Sequence, residues 1–417
     1  MKKQLFRLAI ALTVCLLFLS CTKPKEDEPG KISVTSTPSG AAIWLDHKNT
    51  GFITPHLLTE VEPGSHLLRL TCPNHFPLET KVETQNEQTK NIVVAMTSCP
   101  NYRITYNISH TDTLWETGLD GISPVIRCID YYDNYSVPIS WSPNGSFLLY
   151  PSQGHNRLIK QDGSLEAELP AAPFDQAMCY NWSNSSTILA YSIYYEGIYG
   201  YNIAAHSLGP ILYSGQGVYS HNPSFSPDDS RIAYTLHTYG TIAQVRLMNQ
   251  DGSGNRSVST EFTTSSPDCG IWLWWISDNQ IIFMLDKIYL VNINSNPDSL
   301  SSPTAVFDQP DSNYCCLQLS PDRAYYILAK WYGHDGIYFN YYAIYLGRTG
   351  NWTPTPLISG LTHLQGLTWS PNNDGLVFCN DDGLYWLTLD GNSYRVIDLE
   401  NNPRNTVGSF SIRANSP

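Results

Sequence analysis

The chain reads as all-β: a small β-sandwich followed by a β-propeller of seven blades, with six as the alternative count. Three observations predict this. Tyr (27), Trp (11), Gly (28) and Pro (27) are abundant among 417 residues, while charged residues are only 15%. That mixture suits short strands and tight turns better than long helices. Short runs of alternating β-formers lie between Pro/Gly clusters near the N-terminus, and a longer-range motif repeats through the rest. At 42% hydrophobic residues the chain can build substantial cores. A net charge of −13 makes it a poor partner for phosphate backbones, so nucleic-acid binding is not expected.

Residues 1–20 have the order of a signal peptide. Lys2, Lys3 and Arg7 form a basic start, and Leu8–Leu19 is an apolar run of about twelve residues, too short to span a bilayer as a helix. The run ends in Leu17-Phe18-Leu19-Ser20-Cys21, which resembles the lipobox of bacterial lipoproteins, with Phe18 departing from the usual aliphatic residue. The resemblance implies acylation of the Cys21 thiol and removal of the signal before it. Two or three acyl chains suffice for stable anchoring. The polar stretch 21–30 then serves as a tether. Its Lys25-Glu26-Asp27-Glu28 resembles the acidic export signal of some surface-exposed lipoproteins, and an acidic linker is the plainer reading. The expected location is the envelope of a Gram-negative-type bacterium, at the outer membrane.

Residues 31–98 carry strand-like runs at Ile32–Val34, Ala42–Leu45, His66–Leu70 and Asn91–Val94. Between them stand Ser36-Thr37-Pro38-Ser39-Gly40-Ala41, then Gly51 with Thr54-Pro55, then Pro63-Gly64-Ser65-His66. This series resembles the PEGA domain, with one extra residue between Gly51 and Thr54. The resemblance implies a non-catalytic extracytoplasmic binding or spacer module.

Residues 99–417 repeat a large apolar residue followed by Ser and a turn: Trp141-Ser142, Trp182-Ser183, Phe225-Ser226, Ile276-Ser277, Leu319-Ser320, Trp369-Ser370 and, more weakly, Phe410-Ser411. The serines lie 41 to 51 residues apart, and three further apolar runs follow each copy. Turns such as Asp162-Gly163, Asp251-Gly252 and Asp390-Gly391 suit tight type I′ hairpins. Four short strands per repeat of this length is the period of a propeller blade. Residues 102–132 read as the last three strands of a blade lacking its first, and 406–412 as a lone first strand. Joining them gives seven blades and leaves no open edge. The repeat resembles the TolB-type, or WD40-like, propeller repeat.

Catalytic motifs do not emerge. No Cys-x-x-Cys, His-x-His or His-Glu-x-x-His spacing occurs, nor a Gly-x-Ser-x-Gly elbow, so no cofactor or metal is expected. Cys179 and Cys316 each lie four residues before a repeat serine, at equivalent places where they could line the axis or simply fill space. Trp331, Tyr332 and His334 open the densest aromatic stretch, 331–345, readable as a ligand-stacking surface or a long hairpin. The preferred function is a monomeric, membrane-anchored, non-catalytic module that binds an envelope protein or glycan. The alternative is a hydrolase or lyase acting on glycans or peptides at the propeller axis.

Overall fold

The structure, a computed structural model, describes residues 29–132, 139–152, 155–170, 179–193, 197–208, 218–238, 241–264, 271–307, 314–334, 340–399 and 407–415. Residues 1–28, which include the expected signal peptide, the lipobox-like segment with Cys21 and nearly all of the expected tether, lie outside the described residues. The chain divides into two compact units at Ser98/Cys99.

The first unit is a sandwich of seven strands: β1 (Gly30–Thr37), β2 (Ala42–Leu45), β3 (Lys48–Ile53), β4 (His56–Val61), β5 (Gly64–Cys72), β6 (His75–Thr84) and β7 (Thr89–Ala95). One sheet has the order β4-β1-β7 and the other β3-β2-β5-β6; β1 and β7 run parallel. Inward residues Ile32, Val34, Ile43, Leu68, Leu70 and Val82 meet between the sheets, fully or almost fully buried. Strands β3, β4 and β6 add to the four expected from the sequence. The first two are short and mostly exposed, so their side chains show little apolar alternation.

The second unit is a seven-bladed propeller. Its blades are seven consecutive sheets, six of four strands and one with a fifth short strand. Blade 1 takes its innermost strand from the chain's end: Val407–Ala414 pairs antiparallel with Tyr102–Ile108, followed outward by Leu114–Gly118 and Val125–Cys128. Blades 2 to 7 begin with Ser140–Trp141, Cys179–Trp182, Val218–Phe225, Leu273–Ser277, Tyr314–Leu319 and Gly366–Trp369. The closing strand touches the first strands of both blade 7 and blade 2, so the ring has no open sheet. The apolar core is correspondingly segmented, with separate clusters at the seams between blades.

The repeat motif is a folding device. In blade 2 the Ser142 Oγ accepts from the backbone N–H of Phe147 (3.0 Å) and donates to Asn144 Oδ1 (2.8 Å). Gly145 N–H closes the turn onto Ser142 O at 2.8 Å, with Gly145 at φ +70°. Blades 3, 4, 6 and 7 repeat the Ser-centred acceptor bond at Ser183, Ser226, Ser320 and Ser370. Pro at the second turn position fixes φ, and an Asp or Asn just beyond it in blades 2, 4 and 6 accepts from the Ser hydroxyl. The left-handed position carries Ser186, Asp229, Arg323 and Asn373 in the other four blades, a conformation that favours glycine. Those side chains are used: Ser186 Oγ accepts from Asn144 N, Asp229 from Asn184 N, and Asn373 Oδ1 from Asp322 N. Each bond stitches a turn to that of the preceding blade.

Two copies of the motif are placed differently from the sequence reading. In blade 5 it is Trp275, not Ile276, that pairs with the second strand at the equivalent position, opposite Ile281. The blade-5 turn is shorter, so Ser277 pairs with Gln280 across a tight hairpin and is exposed, its Oγ accepting a long bond from Asn279 N at 3.4 Å. In blade 1, Ile412 stands opposite Ile104, as Trp141 stands opposite Leu148. Arg413 therefore occupies the serine position, and Phe410-Ser411 lies two residues earlier, on the same alternation of faces. Ser411 instead accepts from Trp141 N at 3.1 Å. The Asp-Gly hairpins also differ from type I′: only the glycines, Gly163, Gly252 and Gly391, have positive φ. Gly163 N donates to Lys160 O, and the Asp162 carboxylate accepts from Ser164 N, giving a type I turn followed by a bulge.

Candidate functional site

The first strands of the blades surround the propeller axis, and their side chains alternate between the seams and the central funnel. Trp141, Trp182, Phe225, Trp275 and Trp369 point into the seams and are buried. The residues just before them face the axis: Ser140, Asn181, Ser224, Trp274 and Thr368, joined by Gln318. Ser140, Asn181, Ser224, Gln318 and Thr368 share one position of the repeat, the small or polar residue before the large one; Trp274 does not follow that pattern. Trp272 and Trp274 were not singled out, because Ile271–Trp275 reads as one apolar run.

The funnel contains a cavity of about 620 Å³ bounded by blades 3 to 6, with Asn181, Ser224, Trp272, Trp274, Cys316 and Gln318 in its wall. It adjoins a second space of about 420 Å³ between Trp141, Trp182, Gln318 and Trp369, and a third of about 160 Å³ toward the turns. Asn181 and Leu319 line all three. At the turn end the Arg323 guanidinium of blade 6 reaches across to Asn184 Oδ1 of blade 3 at 2.8 Å. Burial disfavours its charge and lowers its pKa, although Asp229 and Asp278 stand close enough to oppose the shift. The opposite end is framed by Trp272, 46% exposed, and by Cys316, also exposed and held at φ +57° by a β-bulge.

Among the described residues that line these spaces there is no Asp, Glu, His or Lys; Arg323 is the one cation, at the turn end. Among the described residues no three His, Cys, Asp or Glu side chains converge as a metal site. Chemically the wall offers amides and hydroxyls that both donate and accept, plus indole faces.

Of the two candidate cysteines, Cys316 lines the funnel. Cys179 is half-buried beside Ser192 and the Asn222 backbone, and burial pushes its thiol up to about 11. The aromatic stretch is the long hairpin of blade 6, between Tyr325–His334 and Asn340–Arg348. Trp331 pairs with Tyr342 and is half-buried. Tyr332 is exposed, and its ring and that of Tyr314 both lie about 5 Å from Lys330 Nζ. His334 ends the strand, with its side chain outside the described set. The Lys330 cation thus already contacts both of these Tyr rings.

In the sandwich, the Pro/Gly signatures are structural. Ser36 Oγ and Thr54 Oγ1 lie 2.5 Å apart, and Thr54 accepts from Ala41 N. His66 joins Asp46 (2.7 Å) and Glu62 O (2.7 Å), locking two loops. Burial opposes charge on both Asp46 and His66; their mutual hydrogen bond and charge outweigh it, lowering the carboxyl's pKa and raising the imidazole's.

These features define a β-sandwich module followed by a propeller whose axial funnel is lined, among the described residues, mainly by amides, hydroxyls and indoles, with Arg323 at its turn end. Residues 29–98 match the PEGA domain. No curated protein matches the chain. Among solved structures, the chain is similar to a candidate 6-phosphogluconolactonase from Bacteroides uniformis, at 13% identity over 75% of this chain and 99% of that one, with a TM-score of 0.51. TolB from Acinetobacter baumannii is 14% identical over 75% and 82% of the two chains, with a TM-score of 0.43. An oligogalacturonate lyase from Vibrio parahaemolyticus is 11% identical over 71% and 84%, with a TM-score of 0.49. At these identities the likeness concerns the fold alone.

Proposed function

We propose that the protein is a membrane-anchored, non-catalytic binding module of the bacterial envelope, held through acylated Cys21, with the propeller axis as its receptor surface. The observation that carries this reading is the funnel wall. General acid–base chemistry needs titratable groups within hydrogen-bond reach of the reacting atoms. Amides, hydroxyls and indoles instead suit recognition of a neutral ligand. The sandwich, with motif residues committed to its own loops, acts in this reading as a spacer between lipid and propeller.

Incubation of the full chain with oligosaccharides and peptides, followed by mass spectrometry, tests the non-catalytic reading. Ligands should be recovered unchanged. A cleaved product that disappears on Asn181→Ala would establish the hydrolase or lyase alternative. Metabolic labelling with an alkyne fatty acid tests the anchor: label should enter the native chain and be absent from Cys21→Ala.

A further inference from the structure

We propose that the wide end of the axial funnel is a subsite for an uncharged sugar chain, which stacks on Trp272 and Trp274 and hydrogen-bonds to Asn181 and Ser224. The inference rests on the binding reading above and names its ligand class. Trp272 immediately precedes blade 5's first strand and Trp274 is its second residue. Both open on the same cavity, about 7 Å apart along the chain. Trp272 retains 46% of its surface exposed at the mouth. Two indole faces in series suit consecutive pyranose rings, whose C–H faces are apolar while their rims carry hydroxyls.

Hydroxyls donate and accept equally, as do the Asn181 amide and the Ser224 hydroxyl facing them. A carboxylate-bearing sugar would meet no cation among the described residues at this end. The nearest guanidinium, Arg323, sits at the turn end, bonded to Asn184 and facing Asp229 and Asp278. A peptide would bring charged side chains and termini into the same uncharged wall, where desolvation penalises them. The backbone around the cavity is also shaped for more than packing. First strands of blades 4 and 6 both bulge next to it, with Asn222 at φ +53° and Cys316 at φ +57°. Bulges at such places re-aim side chains.

Calorimetric titration of the full chain tests the proposal. The probes are hexamers of β-1,4-glucan, β-1,4-mannan, β-1,4-xylan, α-1,4-glucan and N-acetylglucosamine, with hexagalacturonate and a mixed peptide pool as comparators. At least one neutral hexamer should bind saturably. Trp272→Ala should weaken it about tenfold or more, with partial recovery in Trp272→Phe. Asn181→Ala should weaken it as well, and Tyr332→Ala should leave it unchanged. Trp272 is largely exposed and Tyr332 more so, so these variants keep the fold, which circular dichroism verifies. Failure of every neutral hexamer overturns the proposal. If hexagalacturonate or the peptides then bind and respond to Trp272→Ala and Asn181→Ala, the binding reading stands and only the ligand class is wrong. If no probe responds to these axial variants, both readings fall.

Discussion

At the residue scale, one hydroxyl per blade organises the turn that positions the funnel wall. Ser226 is fully buried, accepts from Arg231 N at 3.0 Å and donates to Asp228 at 2.6 Å. Its bond, with that from Ser230, pulls the Asp228 carboxyl down to about 2. Ser226→Ala strands a backbone donor near the core and should cost about 1–2 kcal/mol. Ser277→Ala, at the exposed hairpin of blade 5, should change stability by less than about 0.5 kcal/mol. Denaturant titration of both variants checks the contrast. Equal losses would contradict the register assigned to blade 5. The seam tryptophans show the same dependence on local partners. Trp141 Nε1 donates to Thr105 Oγ1 and Trp275 Nε1 to Ser224 O, whereas Trp182 and Trp369 leave their N–H unpaired. At the position equivalent to Thr105 their neighbouring blades carry Leu149 and Ile327, which offer no acceptor.

At the element scale, the sandwich depends on a hydrogen-bonded pair that titrates. His66 has a raised pKa, so its contribution is complete below the ordinary imidazole value and disappears as pH rises through the raised one. Asp46 has a lowered pKa, so its contribution is present above the ordinary carboxylate range and is lost as pH falls through the lowered value. The pair therefore supports the module best between the two ranges, around pH 5–6. Melting of the native chain against that of His66→Gln, from pH 4 to 9, should show the largest gap in that window and convergence at the alkaline end. Blade strands were legible in the sequence because each buries one face and shows a period of two. The closing strand was legible because residues 102–132 lack a first strand of their own. The exact register was not: Trp275 sits in an unbroken apolar run, and Ile412 follows a Phe-Ser pair that imitates the motif. The funnel's makeup was half legible, since Asn181 and Gln318 recur at one repeat position, while Trp272 precedes its strand and follows no period.

At the scale of the whole molecule, the ring closes on a buried charge cluster. Glu116, 1% exposed, accepts from Arg127 at 2.5 Å and from Arg413 of the last strand at 3.0 Å. The Arg413 guanidinium also stacks over Trp141 of the next blade at 4.8 Å. Burial opposes the Glu116 charge, but both arginines outweigh it and hold the carboxyl below its usual range. Its stabilisation is thus present above the ordinary carboxylate range and is lost as pH falls through the lowered value. Glu116→Gln leaves the buried Arg413 and the half-buried Arg127 guanidinium groups uncompensated and should cost about 3–5 kcal/mol. Calorimetric melting at pH 7 measures this, and a loss below about 1 kcal/mol would mean that strand pairing alone closes the ring.

The claim that the axis is the receptor is tested most directly by hydrogen–deuterium exchange of the full chain with and without a saturating bound hexasaccharide. Protection should concentrate in Cys179–Trp182, Val218–Phe225, Leu273–Ser277 and Tyr314–Leu319. Protection confined to the 331–345 hairpin or to the sandwich, with these four strands unchanged, would contradict it.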